Sequence, residues 1–169
     1  MVRPLGIGVT GGVLEDRSLT ARLQNDLTQA AVDPRRIVLQ VRETAGVDLA
    51  RARASAVGLR RLGVGIALDG FGGRDGALAD LRELPFTQLR VDPSFTDATH
   101  AGALDDTVLA YAVTVGREFD MAVVATGIET PADAQRARAF GVGWGEGGLF
   151  GSPQPLTAQL AVPRPESLL

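Results

Sequence analysis

The sequence contains no cysteine and no lysine. Without thiols it can form neither disulfides nor thiolate zinc sites, and thiolate catalysis is excluded. All 17 basic residues are arginine, so no side-chain amine is available for a Schiff base. Histidine occurs once, as His100 in the polar run Thr96-Asp97-Ala98-Thr99-His100. A lone loop histidine reads as a surface residue and makes a poor metal site. No apolar run approaches the roughly 18 residues needed to cross a bilayer, and the opening Met-Val-Arg-Pro-Leu-Gly lacks a secretory hydrophobic segment. These absences lead us to expect a cytoplasmic protein with no membrane contact.

What is present is a chain of 169 residues, 45% hydrophobic and 22% charged, the profile of one globular domain. We take 1–169 as a single domain, with structural units over 1–156 and a Gly/Pro-rich tail over 157–169. The net charge of −3 comes from 20 acidic and 17 basic residues that are interspersed, which leaves no basic face for nucleic acid.

Six short runs rich in Val, Ile and Leu recur, most of them followed by a stretch with helical spacing: Leu5 to Thr10, Ile37 to Val41, Val64 to Leu68, Gln88 to Asp92, Met121 to Ala125 and Val142 to Gly145. Between them, Leu19, Leu23 and Leu27 fall on one helical face, and residues 48–62 form a helix that Gly63 stops. A third helix is expected over 75–84. Val108, Ala112, Val115 and Phe119 form another apolar face, and Thr130-Pro131-Ala132-Asp133 carries the N-cap, N1 proline and first-turn acid of a further helix. This rhythm predicts an α/β protein with a parallel sheet, either an open doubly wound sheet or part of a (β/α)8 barrel.

Motifs separate the two. Ile66-Ala67-Leu68-Asp69-Gly70-Phe71-Gly72-Gly73 is followed by Leu89-Arg90-Val91-Asp92-Pro93-Ser94-Phe95, then by Val123-Val124-Ala125-Thr126-Gly127-Ile128-Glu129-Thr130, then by Gly147-Gly148-Leu149-Phe150-Gly151-Ser152-Pro153. Upstream lie Leu5-Gly6-Ile7-Gly8-Val9-Thr10 and Leu39-Gln40-Val41-Arg42-Glu43-Thr44. In order, these resemble the I-A-L-D-D-F-G-T-G, L-K-I-D-R-S-F, V-V-A-E-G-V-E-T, G-Y-L-F-S-R-P, L-S-V-N-V-S and L-E-I-T-E-S motifs of EAL domains, the cyclic-di-GMP phosphodiesterase family. The resemblance covers nearly all of the chain and about the last two-thirds of a family domain. It implies an incomplete TIM-like barrel of about six βα units with its chemistry at the C-terminal strand ends. No counterpart to the segment with the Glu-Ala-Leu signature is expected, and an open barrel edge would then need a protein partner or homodimer to cover it.

The family holds two divalent cations on carboxylates and an Asn to hydrolyse a phosphodiester. Carried over residue by residue, the Asn position is Gly8 and the first Glu of L-E-I-T-E-S is Gln40. The second Asp of the D-D pair is Gly70, the Lys is Arg90, the first Glu of A-E-G-V-E is Thr126, and the Gln before G-Y is Glu146. Asp69, Asp92 and Glu129 are kept, and Glu43 matches the Glu that braces the loop after the D-D pair. Fewer anionic oxygens mean weaker binding of a hard cation. The expectation is therefore a domain that hydrolyses nothing, needs no cofactor and acts through protein contacts in cyclic-di-GMP signalling. On that expectation Arg90, Asp69, Asp92 and Glu129 are remnants of a catalytic site. The alternatives are a cyclic-di-GMP receptor using Asp69, Asp92, Glu129 and Glu146, and a weak phosphodiesterase with Mg²⁺ or Mn²⁺ at Asp69 and Asp92.

Bland roles stand beside these. The three carboxylates can cap helices or accept loop hydrogen bonds, the glycines of 70–76 permit a tight turn, and Trp144 reads as core or interface packing ahead of base stacking. Arg61 and Arg82 read as solvated helix surface.

Overall fold

The computed structural model describes residues 4–42, 44, 46–73, 80–99 and 101–152. Six strands, β1 (Leu5–Thr10), β2 (Ile37–Arg42), β3 (Gly65–Phe71), β4 (Gln88–Val91), β5 (Ala122–Ala125) and β6 (Trp144–Gly145), form one sheet in chain order with every adjacent pair parallel. A doubly wound sheet reverses its strand order at a switch point, and this sheet never does. The order is that of successive barrel units.

Each strand divides its side chains between two faces with period two. Leu39 and Val41, Ile66 and Leu68, Leu89 and Val91, and Val123 and Ala125 join one hydrophobic core with the helices. The opposite side chains, Val38, Gln40, Gln88, Arg90, Ala122 and Val124, line the concave side. The helices are α1 (Leu19–Gln29), α2 (Leu49–Leu62), α3 (Asp80–Glu83), α4 (Ala103–Glu118) and α5 (Pro131–Ala139).

Helix α2 buries Ala52, Ser55, Ala56 and Leu59, an i, i+3, i+4, i+7 stripe. It starts where the Asp48 carboxylate accepts from the Arg51 amide (3.2 Å) and stops at Gly63, whose φ of 104° suits glycine. Helix α5 begins with the expected box, since Thr130 Oγ1 accepts from the Asp133 amide and Asp133 accepts from the Thr130 amide.

Several expectations change. Phe119 is the C-cap of α4 and 47% exposed, because the helix ends at Glu118, one residue short of it, while Val115 and Gly116 in its last turn stay buried. The third helix is described as Asp80–Glu83, with Leu84 already beyond its end, and residues 75–79 of its expected span lie outside the described residues, as do Glu43, His100 and the 157–169 tail. Trp144 is not core, being 38% exposed, because short β6 sits at the sheet margin and directs it to the concave side opposite Val124.

Strand β1 pairs with β2 alone, so its other edge is unpaired among the described residues. Leu5 is 62% and Ile7 39% exposed there. No helix among the described residues is long and apolar enough to cross a membrane.

Two substitutions check the packing. Leu59→Ala, at a fully buried position, is expected to cost about 2–5 kcal/mol in urea unfolding, whereas Phe119→Ser should stay within about 1 kcal/mol. Similar losses at both positions contradict this assignment of the core.

Candidate functional site

Asp69 lies near the end of β3, between Arg42, the last residue of β2, and Arg90 on β4. Parallel register places Asp69 directly beside Arg90, and both side chains are largely buried. Arg42 donates to Asp69 Oδ2 through Nε (3.1 Å) and Nη2 (2.7 Å). From the other side Arg90 Nε donates to Oδ1 (3.0 Å), and Arg90 Nη1 reaches Glu146 Oε2 (2.8 Å). The result is a chain of alternating charge, Arg42 to Asp69 to Arg90 to Glu146, across the strand ends. Burial by itself would lower the Arg90 pKa, but Glu146 and then Asp69 outweigh it and raise the pKa above its ordinary value. Arg90 is thus a permanent cation.

The bulge that ends β3 helps to set this geometry. The β3–β4 register shifts between Asp69 and Phe71, and Gly70 within the bulge has φ 81°. A bulge re-aims the flanking side chain. Residue 70 is therefore in a left-handed conformation that a restored aspartate would tolerate only with strain.

The other candidate residues are held elsewhere. Asp92 Oδ1 accepts from the Ser94 amide (3.0 Å) and hydroxyl (2.7 Å), capping the turn Pro93–Phe95. Glu129 Oε1 accepts from the Gly148 amide (3.1 Å). Thr126, in the family's glutamate position, donates its hydroxyl to the Val91 carbonyl (2.6 Å) and so ties the end of β5 to that of β4. Gln40 lies against Gly6, where any Cβ would collide with its amide.

Of the residues singled out from sequence, Asp69, Arg90 and Glu146 come together, while Asp92 and Glu129 serve loop and turn hydrogen bonds. Arg42 was missed. Its signal was the arginine standing where L-E-I-T-E-S has threonine. Asp133 was read only as a first-turn acid, yet its buried carboxylate accepts from the amides of Ala98 (2.8 Å), Thr130 (2.8 Å) and Glu129 (3.1 Å). It joins two loops on the active side of the barrel.

Beside the charge chain, a cavity of about 420 Å³ occupies the concave side, with Gln40, Arg90, Glu146, Trp144 and Phe150 in its wall. Trp144 and Phe150 are 38% and 40% exposed. Its wall reaches Arg90 and Glu146 but not Arg42, so the aromatic surface meets the charge chain at its Arg90–Glu146 end.

The EAL domain family model matches residues 2–153. This chain belongs to the EAL domain family. The bifunctional diguanylate cyclase/cyclic di-GMP phosphodiesterase MucR of Pseudomonas aeruginosa is 31% identical over 146 residues, 85% of this chain and 21% of its own length. The chain thus spans about a fifth of that relative. A PaMucR phosphodiesterase structure in complex with c-di-GMP superposes with a TM-score of 0.81 at 26% identity, covering 92% of this chain and 70% of that one. The Klebsiella pneumoniae BlrP1 complex with manganese and cyclic-di-GMP shares the fold, with a TM-score of 0.81 at 23% identity over 90% of this chain and 39% of its own.

Membership overturns the expectation that the EAL-like chain hydrolyses nothing. The relatives are cyclic-di-GMP phosphodiesterases, and the domain is one of cyclic-di-GMP signalling. That expectation came from counting losses at single ligand positions, while the fold and the carboxylates of Asp69, Asp92 and Glu129 are retained.

Divalent cations accompany the nucleotide in the BlrP1 structure, so the fit of such ions to this chain can be tested on its own side chains. Both Asp69 oxygens accept from guanidiniums, and Gln40, Gly70 and Thr126 supply no charge. No group of three or more His, Asp or Glu among the described residues is placed to hold an ion. The described residues do not fit a two-metal centre.

Asp133 offers a pH test. Burial raises its pKa, but the amide bonds from Ala98, Thr130 and Glu129, with the Thr130 hydroxyl, outweigh that and hold it below its ordinary 3.8. Its folded pKa lies below its unfolded one, so its contribution is complete above the unfolded value and is lost as pH falls through the folded value. Asp133→Asn should cost about 1–3 kcal/mol at neutral pH, and the difference from the native chain should narrow below about pH 4. Urea midpoints across pH read this, and a difference that does not change with pH contradicts it.

Proposed function

We propose that this domain binds cyclic-di-GMP at the C-terminal ends of its strands, with a phosphodiester against the Arg42 and Arg90 guanidiniums and a guanine against Trp144. The observation that carries this reading is the convergence of two arginines on Asp69 at the strand ends, one of which, Arg90, also lines an aromatic-walled cavity. A cyclic dinucleotide has two phosphodiester anions and two planar bases, and guanidiniums and aromatic faces are the groups that recognise such parts. The cyclic-di-GMP carried by the PaMucR structure of the same fold supports the choice of ligand.

A second reading, hydrolysis of the bound phosphodiester, is favoured by the phosphodiesterase names of relatives such as MucR. It shares the ligand and differs in the fate of the P–O bond. A protein partner or homodimer over the β1 edge belongs to the same proposal, supported by the exposure of Leu5 and Ile7. A monomer at every concentration in light scattering removes the homodimer.

Calorimetry with cyclic-di-GMP at ~100 μM, where a binding free energy near −5 to −6 kcal/mol registers, is expected to give saturable heat. Arg42→Met should weaken that heat while the nucleotide-free chain, which loses only a half-exposed side chain, stays folded by circular dichroism. No heat from the intact chain overturns the binding reading. Chromatography of the same samples for the linear dinucleotide separates binding alone from hydrolysis.

A further inference from the structure

We propose that Arg42 and Arg90 are built-in replacements for divalent cations, so that this chain holds a phosphodiester on fixed guanidiniums and excludes metal from Asp69. The inference rests on the preceding reading for the identity of its ligand and on the geometry of Asp69 for the rest.

Asp69 is the candidate metal carboxylate that Arg90 pairs with, and both its oxygens already accept from guanidiniums. Oδ2 takes two donors from Arg42, and Oδ1 takes one from Arg90. A cation arriving at Oδ2 must displace the Arg42 guanidinium, and one arriving at the remaining lone pair of Oδ1 sits beside the Arg90 guanidinium, which cannot lose its proton, as a like charge. Arg90 cannot retreat into water, since its side chain is only 7% exposed and is anchored at its far end to Glu146. An anion meets a different surface. The Arg42 side chain is 55% exposed at the very end of β2, so its guanidinium keeps a solvent-facing part after serving Asp69. Asp69 fixes that fork in place, which lowers the cost of ordering it when a phosphodiester arrives.

Arg42 is therefore the specificity-determining residue, and its removal has opposite consequences for the two kinds of ligand. Manganese alone is titrated into the chain and followed by the loss of its free paramagnetic resonance signal. The native chain is expected to take up none below ~1 mM, a threshold set by the weakest carboxylate sites. Arg42→Ala should gain manganese uptake in that range by freeing Oδ2, whereas Arg42→Lys keeps the charge and should not. Cyclic-di-GMP affinity is then measured with a chelator and with manganese, and for the native chain the two should agree within about threefold. Arg42→Ala should weaken nucleotide binding in chelator by about tenfold or more. Manganese uptake by the native chain below that threshold overturns the proposal, and so does nucleotide binding that requires the metal. Absence of nucleotide binding in both buffers removes the functional reading above, and the manganese titration still decides whether the arginines exclude the cation. Arg42 is half exposed, so both variants are expected to retain the fold, and circular dichroism checks this.

Discussion

A carboxylate on β3 held between guanidiniums on β2 and β4 is the interaction on which the concave side of this domain depends. Buried Asp69 is tolerable only because both its oxygens are paired, and buried Arg90 only because Asp69 and Glu146 take its donors. Removing Asp69 or Arg90, the buried members, leaves an uncompensated charge, a loss on the order of 3–5 kcal/mol, whereas the half-exposed Arg42 and Glu146 cost less. The cluster also links three adjacent strands and the loop after β6 at the C-terminal ends of the strands, so it ties the geometry there to fold stability.

Around it, most polar groups at the strand ends are committed to holding loops. Asp92 caps the turn after β4, Thr126 ties β5 to β4, Glu129 holds the Gly148 amide, and Asp133 gathers three amides from two loops. Family membership makes this a domain of cyclic-di-GMP signalling whose relatives are phosphodiesterases. The contrast between that membership and a site whose key carboxylate is occupied by arginine is the defining chemical feature of the chain.

Much of the fold could be read from sequence, because hydrophobic period and capping chemistry are local. The bounds of β1, the Asp48 and Gly63 ends of α2 and the Thr130–Asp133 box all follow from residues within a few positions of one another. Phe119 and Trp144 were misplaced for a different reason. Each is apolar and continues a local pattern, yet Phe119 falls just beyond the last residue of α4 and Trp144 on the marginal strand β6, and burial there depends on what packs opposite.

The sequence by itself determined the family, the strand order and which ligand positions carry Gly, Gln or Thr. These follow from residue identity and order along the chain. Only the tertiary structure decided that Arg42 and Arg90, 48 positions apart in the numbering, meet on one carboxylate, and that Asp92 and Glu129 turn to amide donors. The physical reason is that a side chain's charge is written in the sequence, while the partner that neutralises it is set by parallel register across strands far apart in the chain.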